Sequence, residues 1–242
     1  MQESWRWFGP EDTVTLEQIV QAGASGVVTA LDHIPTGETW PARDIADRRA
    51  LLDAHGLEWV VVESVPVHQD IKLRQGDYQR IIANYQQTLR NLGEQDIRRV
   101  CYNFMPVVDW TRTNLDFELE NAASALRFEM ADFVAYDVFM LERPGARQDY
   151  DNEVLERAEQ RFADLSQADK ALLEENIIAG LPGGEGSYDR AGIREAIAAF
   201  TDIGTAGLRA NLESFLQDVV PVAEAAGVVL AIHPDDPPFS LF

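Results

Sequence analysis

The sequence contains one cysteine in 242 residues, Cys101. An intrachain disulfide is therefore excluded, and this scarcity is typical of reducing compartments, so we expect a cytoplasmic protein. The N-terminus lacks the basic region and the apolar core of a secretory signal peptide. No apolar run approaches the roughly 20 residues of a membrane-spanning helix, and we expect no membrane partner.

Basic residues are the second scarcity. Lys and Arg number 20 against 41 Asp and Glu, which gives a formal net charge of −21 at pH 7. Nucleic acids and anionic membranes bind basic faces, so we expect neither as a partner. A small anionic ligand is still compatible with this negative net charge, because the electrostatic field in a binding site is set by the Arg, Lys or metal of that site. Hydrophobic residues still make up 46% of the chain, enough for one α/β domain with a sizeable core.

A repeated pattern organises what is present. A helix end is followed by an apolar strand, then by a polar residue and a proline, and the pattern recurs at residues 22–35, 54–66, 96–106 and 226–234, with residues 5–10 as a first strand. Helices are predicted between these strands at residues 16–22, 41–54, 78–92 and 208–226, and in the long segment before the last of them at residues 152–162 and 166–178. This alternation predicts a parallel sheet with right-handed crossovers. The carboxyl ends of parallel strands meet at one rim, so the polar residues there are candidates for chemistry.

The spacing of the pattern predicts an incomplete barrel. Five strands are counted, whereas a closed (β/α)8 barrel needs eight in roughly 250 residues. The stretch from Asn103 to His233 is about a hundred residues too long for one βα unit, so residues 107–205 are predicted to be a largely helical insertion. The last strand precedes the chain end closely and would leave an open edge. We therefore expect one barrel-type domain over residues 1–242, truncated or completed by another polypeptide.

His233 is the leading candidate for a metal ligand. It follows the apolar run 228–232 and precedes Asp235 and Asp236. A neutral imidazole at a strand end suits a divalent transition metal, with the carboxylates near enough to contact a substrate. The alternative is a histidine that is hydrogen-bonded to a loop carbonyl, and the sequence leaves both interpretations open.

Three other rim residues follow earlier strands: His33, Glu63 and Asn103. Glu63 is placed to bind a metal, orient a hydroxyl or act as an acid or base, unless it forms a structural ion pair with an arginine. Asn103 suits hydrogen bonding to a substrate. His33 faces the same rim, or is a histidine of the turn.

Aromatic and basic residues near the rim complete the candidates. Trp7 and Trp110 are suited to stack on the apolar face of a sugar, although burial in the core is the commoner role. Arg6 and Arg112 are suited to pair with a substrate carboxylate, unless they are ordinary surface residues. Cys101 lies within a predicted strand and is expected to be buried and inert.

The chain resembles the N-terminal part of the mannonate dehydratase family of bacterial hexuronate breakdown. The matching motifs lie at residues 5–10, 26–31, 62–66, 82–92, 100–106, 109–113, 176–182 and 233–238. The resemblance extends over essentially the whole chain. One departure is Asp32, where many members have histidine, whereas His33 is kept.

The resemblance implies a xylose-isomerase-like TIM barrel and Mn²⁺ or Fe²⁺ as the cofactor. It implies loss of water from D-mannonate to give 2-dehydro-3-deoxy-D-gluconate in glucuronate catabolism. His233 matches one family metal ligand, whereas the Cys, His and Asp ligands and the acid/base residues are expected beyond Phe242. By their rim position, further residues are expected on the substrate side, namely Trp7, His33, Glu63, Asn103, Trp110, Arg112 and Asp235.

Three functions remain open at this point. In the first, the chain is part of a dehydratase and is inactive alone. In the second, it is a non-catalytic binding fragment. In the third, it is part of a related metal-dependent sugar isomerase or epimerase. A small sugar acid is the expected ligand. We also expect a homo-oligomer, with contacts through residues 128–139 or the helices of the insertion.

Overall fold

A computed structural model describes residues 2–108, 110–178 and 189–238. In these residues, parallel strands joined by helices form the first part of the fold. The strands are β1 (Ser4–Arg6), β2 (Gly26–Thr29), β3 (Glu58–Val62), β4 (Arg99–Tyr102), β5 (Asn114–Glu118), β6 (Ser124–Arg127) and β7 (Val229–Ile232). The helices are α1 (Leu16–Gln21), α2 (Ala42–Asp53), α3 (Gln69–Leu73), α4 (Tyr78–Glu94), α5 (Met130–Ala135), α6 (Asn152–Asp164), α7 (Gln167–Ile178) and α8 (Arg190–Ala226).

The main sheet has the order β1-β2-β3-β4-β7, and each adjacent pair is parallel. The predicted parallel α/β sheet is therefore confirmed, and its five strands follow one another in chain order. A closed barrel is not seen in the described residues, where β1 and β7 are the two edges of an open sheet. Within the same residues, no helix is long and apolar enough to cross a membrane.

One face of this sheet carries the core. Val27, Val62 and Val100 are fully buried, and they belong to one cluster with buried residues of α1, α2, α4 and the second part of α8. Sequential strand order with right-handed crossovers puts the helices on the same side. The residues next to these valines in the strands point to the other face of the sheet, where Val28 and Cys101 are only half-buried. The predicted burial of Cys101 is thus only partial.

Local sequence signals set the helix boundaries. Thr15 and Gln18 form a capping box at α1, in which each side chain bonds the backbone N–H of the other. Predicted helices at residues 16–22, 41–54, 78–92, 152–162 and 166–178 agree with α1, α2, α4, α6 and α7 within two residues at each end. The predicted helix at 208–226 is the second part of α8, which has non-helical φ and ψ at Gly204.

A second compact unit contains described residues 105–108, 110–178, 189–202 and 235–238. It holds the antiparallel hairpin β5–β6, a π-helix (Tyr136–Met140), a 3-10 helix (Ala146–Gln148), and helices α5, α6 and α7. Most of the predicted insertion, residues 107–205, belongs to this unit. Asp109 and residues 179–182 of the matched motifs lie outside the described residues.

The apolar segment at residues 128–139 contributes to the core of this second unit. Phe133, Val134 and Tyr136 have no exposed surface, and Phe139 stacks on Phe162 of α6 with 5.2 Å between the ring centroids. The expectation that this segment carries subunit contacts is corrected for the buried residues. An insertion of this length has its own hydrophobic core, and a pattern of apolar residues alone does not tell such a core from an interface.

Candidate functional site

Polar side chains gather at the carboxyl ends of the main sheet. Arg6 ends β1, Glu63 follows β3, and His233 follows β7. The register pairs Arg6 with Val28, and Val28 with Val61. Because side chains alternate along a strand, Glu63 shares the half-buried face with Arg6. This face is opposite the helices, so its side chains are accessible to a ligand.

Glu63 lies between Arg6 and His233. Its Oε2 is 3.8 Å from Arg6 Nε, and its Oε1 is 3.7 Å from His233 Nε2. Arg6 is itself held in place, because its Nη1 donates to the Trp7 carbonyl at 2.8 Å and its guanidinium lies 4.4 Å from the centre of the Phe8 ring. Burial lowers the pKa of Arg6, while nearby carboxylates oppose that shift. The group thus joins three of the five strands at one rim.

His233 is oriented by its own loop. Its backbone N–H donates to Tyr102 O at 2.9 Å, which continues the β4–β7 ladder by one residue. Its Nδ1 is 2.7 Å from Pro234 O, so we assign the proton to Nδ1. The other ring nitrogen, Nε2, lies on the side of Glu63, 3.7 Å from its Oε1. The hydrogen bond to a loop carbonyl is therefore present, and the role of His233 as a metal ligand through Nε2 stays a prediction.

The described residues do not form a metal site by themselves. None of their groups of three or more His, Cys, Asp or Glu side chains is arranged to hold a metal ion. His233 and Glu63 offer two donors, whereas a catalytic zinc-like site takes about three protein ligands. The donor chemistry of the pair suits a divalent cation, but the pair is too small a set.

Asn103 contributes an unused hydrogen-bond acceptor. Its side chain is 9% exposed and its Oδ1 has no hydrogen-bond partner in the described part of the chain. A buried oxygen without a donor costs about 1–3 kcal/mol. Such an oxygen is suited to a ligand hydroxyl or a bound water, and the substrate role of Asn103 stays a prediction.

Sequence reasoning missed Asp32 and Arg48 as parts of this group. Asp32 follows β2, and it interacts electrostatically with Arg6 and Arg48. Arg48 extends from α2, is buried, and donates from Nη1 to Ala30 O at 2.7 Å and Thr29 Oγ1 at 3.2 Å. The position of Asp32 after a strand was an available signal, whereas a helical arginine gives no sign in sequence that it reaches the rim.

His33 and Trp7 adjoin the Glu63 group: Asp32 interacts electrostatically with His33, and the Arg48 guanidinium lies 5.2 Å from the centre of the Trp7 ring. His33 is exposed, and its Nε2 is 3.5 Å from Asp44 Oδ2 on α2. Trp7 is buried, and its Nε1 donates to Val14 O at 3.1 Å. Trp7 therefore packs in the core in this structure, and substrate roles for both residues stay predictions.

Trp110, Arg112 and Asp235 belong to the second unit. Trp110 is buried, and the Arg112 guanidinium lies 4.6 Å from the centre of its ring. Arg112 Nη2 donates to Asp236 Oδ2 at 2.7 Å, so this arginine already has a carboxylate partner. Asp235 is exposed. Of the predicted site residues, the structure thus brings Glu63 and His233 together. It places Trp110, Arg112 and Asp235 in the second unit.

Cys101 lies on the half-buried face of β4. Burial, together with the Glu63 carboxylate, raises the pKa of its thiol. A thiol with a raised pKa is protonated at neutral pH and reacts slowly. The predicted low reactivity of Cys101 is consistent with this environment.

Comparisons with known proteins agree on one family. The family described as D-mannonate dehydratase (UxuA) matches residues 1–242. A mannonate dehydratase of Saccharophagus degradans is 56% identical to the chain, and mannonate dehydratase 2 of Agrobacterium fabrum is 57% identical, each over 242 residues. These matches cover 100% of this chain and 61% of each relative.

A solved structure is similar over the whole chain. The crystal structure of mannonate dehydratase from Streptococcus suis serotype 2 matches with a TM-score of 0.68 and 34% identity, covering 100% of this chain and 54% of that one. The chain therefore spans about three fifths of the length of the curated relatives that it matches.

Proposed function

Since the chain belongs to the D-mannonate dehydratase (UxuA) family, we propose that the complete protein is a hydro-lyase that removes water from D-mannonate. The observation that carries the proposal is the family match, which extends over every residue from 1 to 242. Because the chain spans only 61% of its curated relatives, the activity is proposed for the complete polypeptide. The 242-residue chain alone is expected to be inactive.

The proposed reaction removes the C2 proton and the C3 hydroxyl of D-mannonate. Together they leave as water, and the resulting enol becomes the ketone of 2-dehydro-3-deoxy-D-gluconate. This reaction would belong to glucuronate catabolism. We propose Mn²⁺ or Fe²⁺ as the cofactor and His233 as one of its ligands, with the other ligands and the acid/base residues outside residues 1–242.

The residues of this chain are proposed to bind and orient the substrate. Glu63, held between Arg6 and His233, would accept hydrogen bonds from substrate hydroxyls. Asn103 has a free amide oxygen for the same purpose. The remaining proposed substrate-side residues are Trp7, His33, Trp110, Arg112 and Asp235.

We propose that the complete protein folds as a xylose-isomerase-like (β/α)8 barrel. Five parallel strands in chain order, with the core on one face, support this, because barrels are built from strands that pair sequentially. We propose residues 107–205 as an insertion on the C-terminal face. A homo-oligomer in the cytoplasm, with a sugar acid as the ligand and without nucleic acid or membrane partners, completes the proposal.

The test compares the complete protein with the 242-residue chain. Each is incubated with D-mannonate and either Mn²⁺ or Fe²⁺, and the products are followed by NMR. The complete protein is expected to form 2-dehydro-3-deoxy-D-gluconate, and the 242-residue chain is expected to form none. Aldose–ketose conversion without the 3-deoxy product would favour the isomerase, and robust dehydration by the short chain would contradict the placement of ligands outside it.

A further inference from the structure

Asp32 carries a buried oxygen that nothing in the described chain satisfies. It lies three residues after the end of β2, and its Oδ2 is buried without a hydrogen-bond partner among the described residues. Burial raises the pKa of this carboxyl, and Arg6, Arg48 and His33 counteract that shift. The positive charges of Arg6 and Arg48 therefore favour the ionised carboxylate of Asp32, while its Oδ2 receives no hydrogen bond from the described residues.

The neighbouring acidic residue Asp12 shows the contrast. Its Oδ2 accepts from Phe8 N at 2.7 Å, and its Oδ1 accepts from Val14 N at 2.9 Å. Both oxygens of Asp12 are thus used to close a backbone turn. The hydrogen bonds of Asp12 explain its structural role, whereas the buried Oδ2 of Asp32 makes no hydrogen bond in the described residues that would explain its position.

Folded proteins rarely leave a buried oxygen unmatched, and each such atom calls for a ligand, a water or a functional use. Asn103, after β4, also has an unmatched side-chain oxygen and is 9% exposed. Both residues follow strands of the main sheet at the end where Glu63 lies. Two acceptors without donors at one rim suit a ligand that donates hydrogen bonds.

We propose that Asp32 determines substrate specificity by accepting a hydrogen bond from a hydroxyl of the bound sugar acid. The chemistry favours a hydroxyl, because the substrate carboxylate offers no donor and would be repelled by an ionised Asp32. The proposal rests on the proposed function, since it assumes that the rim binds D-mannonate. It adds a recognition residue in the loop after β2, and this residue would contact the polyol part of the substrate.

The first experiment separates specificity from stability in the complete protein. Asp32→Ala is expected to raise the KM for D-mannonate about tenfold or more, the effect of losing a hydrogen bond to a charged group. Its melting temperature is expected to change little, because the gain from removing an unmatched buried oxygen opposes the loss of the charge interactions with Arg6 and Arg48. The control Asp12→Ala is expected to lower the melting temperature and leave KM nearly unchanged.

A second experiment identifies the hydroxyl. The 4-deoxy, 5-deoxy and 6-deoxy analogues of D-mannonate keep the reacting groups at C2 and C3, so they are compared as competing substrates of the complete protein and of Asp32→Ala. The original protein is expected to bind one analogue about tenfold more weakly than the other two. The Asp32→Ala protein is expected to bind all three analogues equally well. This loss of additivity is the signature of a direct contact.

The outcomes distinguish the two proposals. A complete protein that does not dehydrate D-mannonate contradicts the proposed function. A protein that is active, but whose Asp32→Ala variant has a lower melting temperature, an unchanged KM and additive analogue effects, contradicts the role of Asp32. That second result would assign the Oδ2 to a buried water.

Discussion

Glu63 illustrates what one side chain contributes at this site. Its carboxylate is 31% exposed, and the side chains of Arg6, its ionic partner, and of His233 on its other side are 24% and 26% exposed. Ion pairs with this access to water stabilise a fold by about 0–1 kcal/mol. The arrangement therefore fixes the position of the carboxylate more than it stabilises the sheet, which is a property of binding sites.

The first prediction concerns this carboxylate. Glu63→Gln keeps the shape of the side chain and removes its charge, so the free energy of unfolding should change by less than about 1 kcal/mol. The kcat/KM of the complete protein for D-mannonate should fall at least about tenfold, the usual scale for losing a charged hydrogen-bond partner. Steady-state kinetics and urea unfolding measure the two effects.

Glu58→Gln is the matched control, because Glu58 begins the same strand at its opposite end. Glu58 is exposed, and its Oε2 accepts from Gln2 Nε2 at 3.0 Å. This variant should keep its kcat/KM. An equal loss of activity in the two variants would contradict a specific role for Glu63.

The second prediction concerns the pH dependence of stability at His55. The pKa of His55 is raised by its Nδ1 bond to Leu51 O at 2.8 Å and by the Glu17 carboxylate at 3.2 Å from Nε2. A raised pKa means that the folded state binds the proton more tightly. The stabilisation is therefore complete below the unfolded pKa, about 6.5, and is lost as the pH rises through the folded value.

His55→Gln should accordingly destabilise the protein at pH 5.5 and have a smaller effect at pH 9. Urea unfolding at the two pH values measures the difference between the original protein and the variant. An effect of the same size at both values would mean that His55 acts through packing rather than through charge.

At the scale of elements, helix ends and close helix contacts decide stability. Thr15 and Gln18 cap α1 reciprocally, and Gly93 near the end of α4 packs against the end of α8. A Cβ at Gly93 would lie 2.5 Å from Ala226 O, a backbone atom that cannot rotate away. Each feature leads to a separate prediction.

The third prediction is that Thr15→Ala destabilises the protein by about 1 kcal/mol, because an N-cap acceptor is lost. Thr15→Ser keeps the hydroxyl and should retain most of that stability. Thermal unfolding of the two variants is the measurement. Equal melting temperatures for Ala and Ser at this position would show that the capping box contributes little.

The fourth prediction is that Gly93→Ala destabilises the protein by about 1–3 kcal/mol through overpacking. In an exposed helix the same change would stabilise by about 1 kcal/mol, because alanine favours helix. The sign of the change in urea unfolding therefore decides between the two. A gain in stability would contradict the close contact with Ala226.

Some elements were not predicted from the sequence. The hairpin β5–β6 and the short helices α3 and α5 have few residues and weak periodicity, so local patterns do not reveal them. The hairpin in particular is a two-stranded sheet, a kind of element that is marginal on its own and depends on surrounding contacts.

At the scale of the whole molecule, the open edge of the sheet is the main feature. Val229 and Ile232 on β7 are 65% and 54% exposed. In the described residues β7 has one strand neighbour, β4. An exposed apolar strand at a sheet edge is a template for association.

The fifth prediction is that the isolated 242-residue chain self-associates through β7. Sedimentation velocity should show larger species as the concentration rises, and Val229→Lys should reduce them by placing a charge on the edge. Leu51→Lys, on the exposed part of α2, is the control and should leave association unchanged. A sharp monomer peak for the original chain at every concentration would contradict this role of the edge.

The sequence by itself determined the parallel α/β sheet, its five strands and the rim that carries Glu63, Asn103 and His233. These follow from local patterns: an apolar run defines a strand, and the residue after it lies at the strand's carboxyl end. The same reasoning predicted a barrel, which requires strands that the described residues do not contain.

Only the tertiary structure decided which rim residues meet. Glu63 reaches Arg6 and His233 across strands far apart in sequence, and such contacts depend on register and side-chain length. It also decided that Trp7 packs in the core and that Arg112 already pairs with Asp236. The unmatched oxygen of Asp32 belongs to the same class, because the absence of a partner is known only once every neighbour has a position.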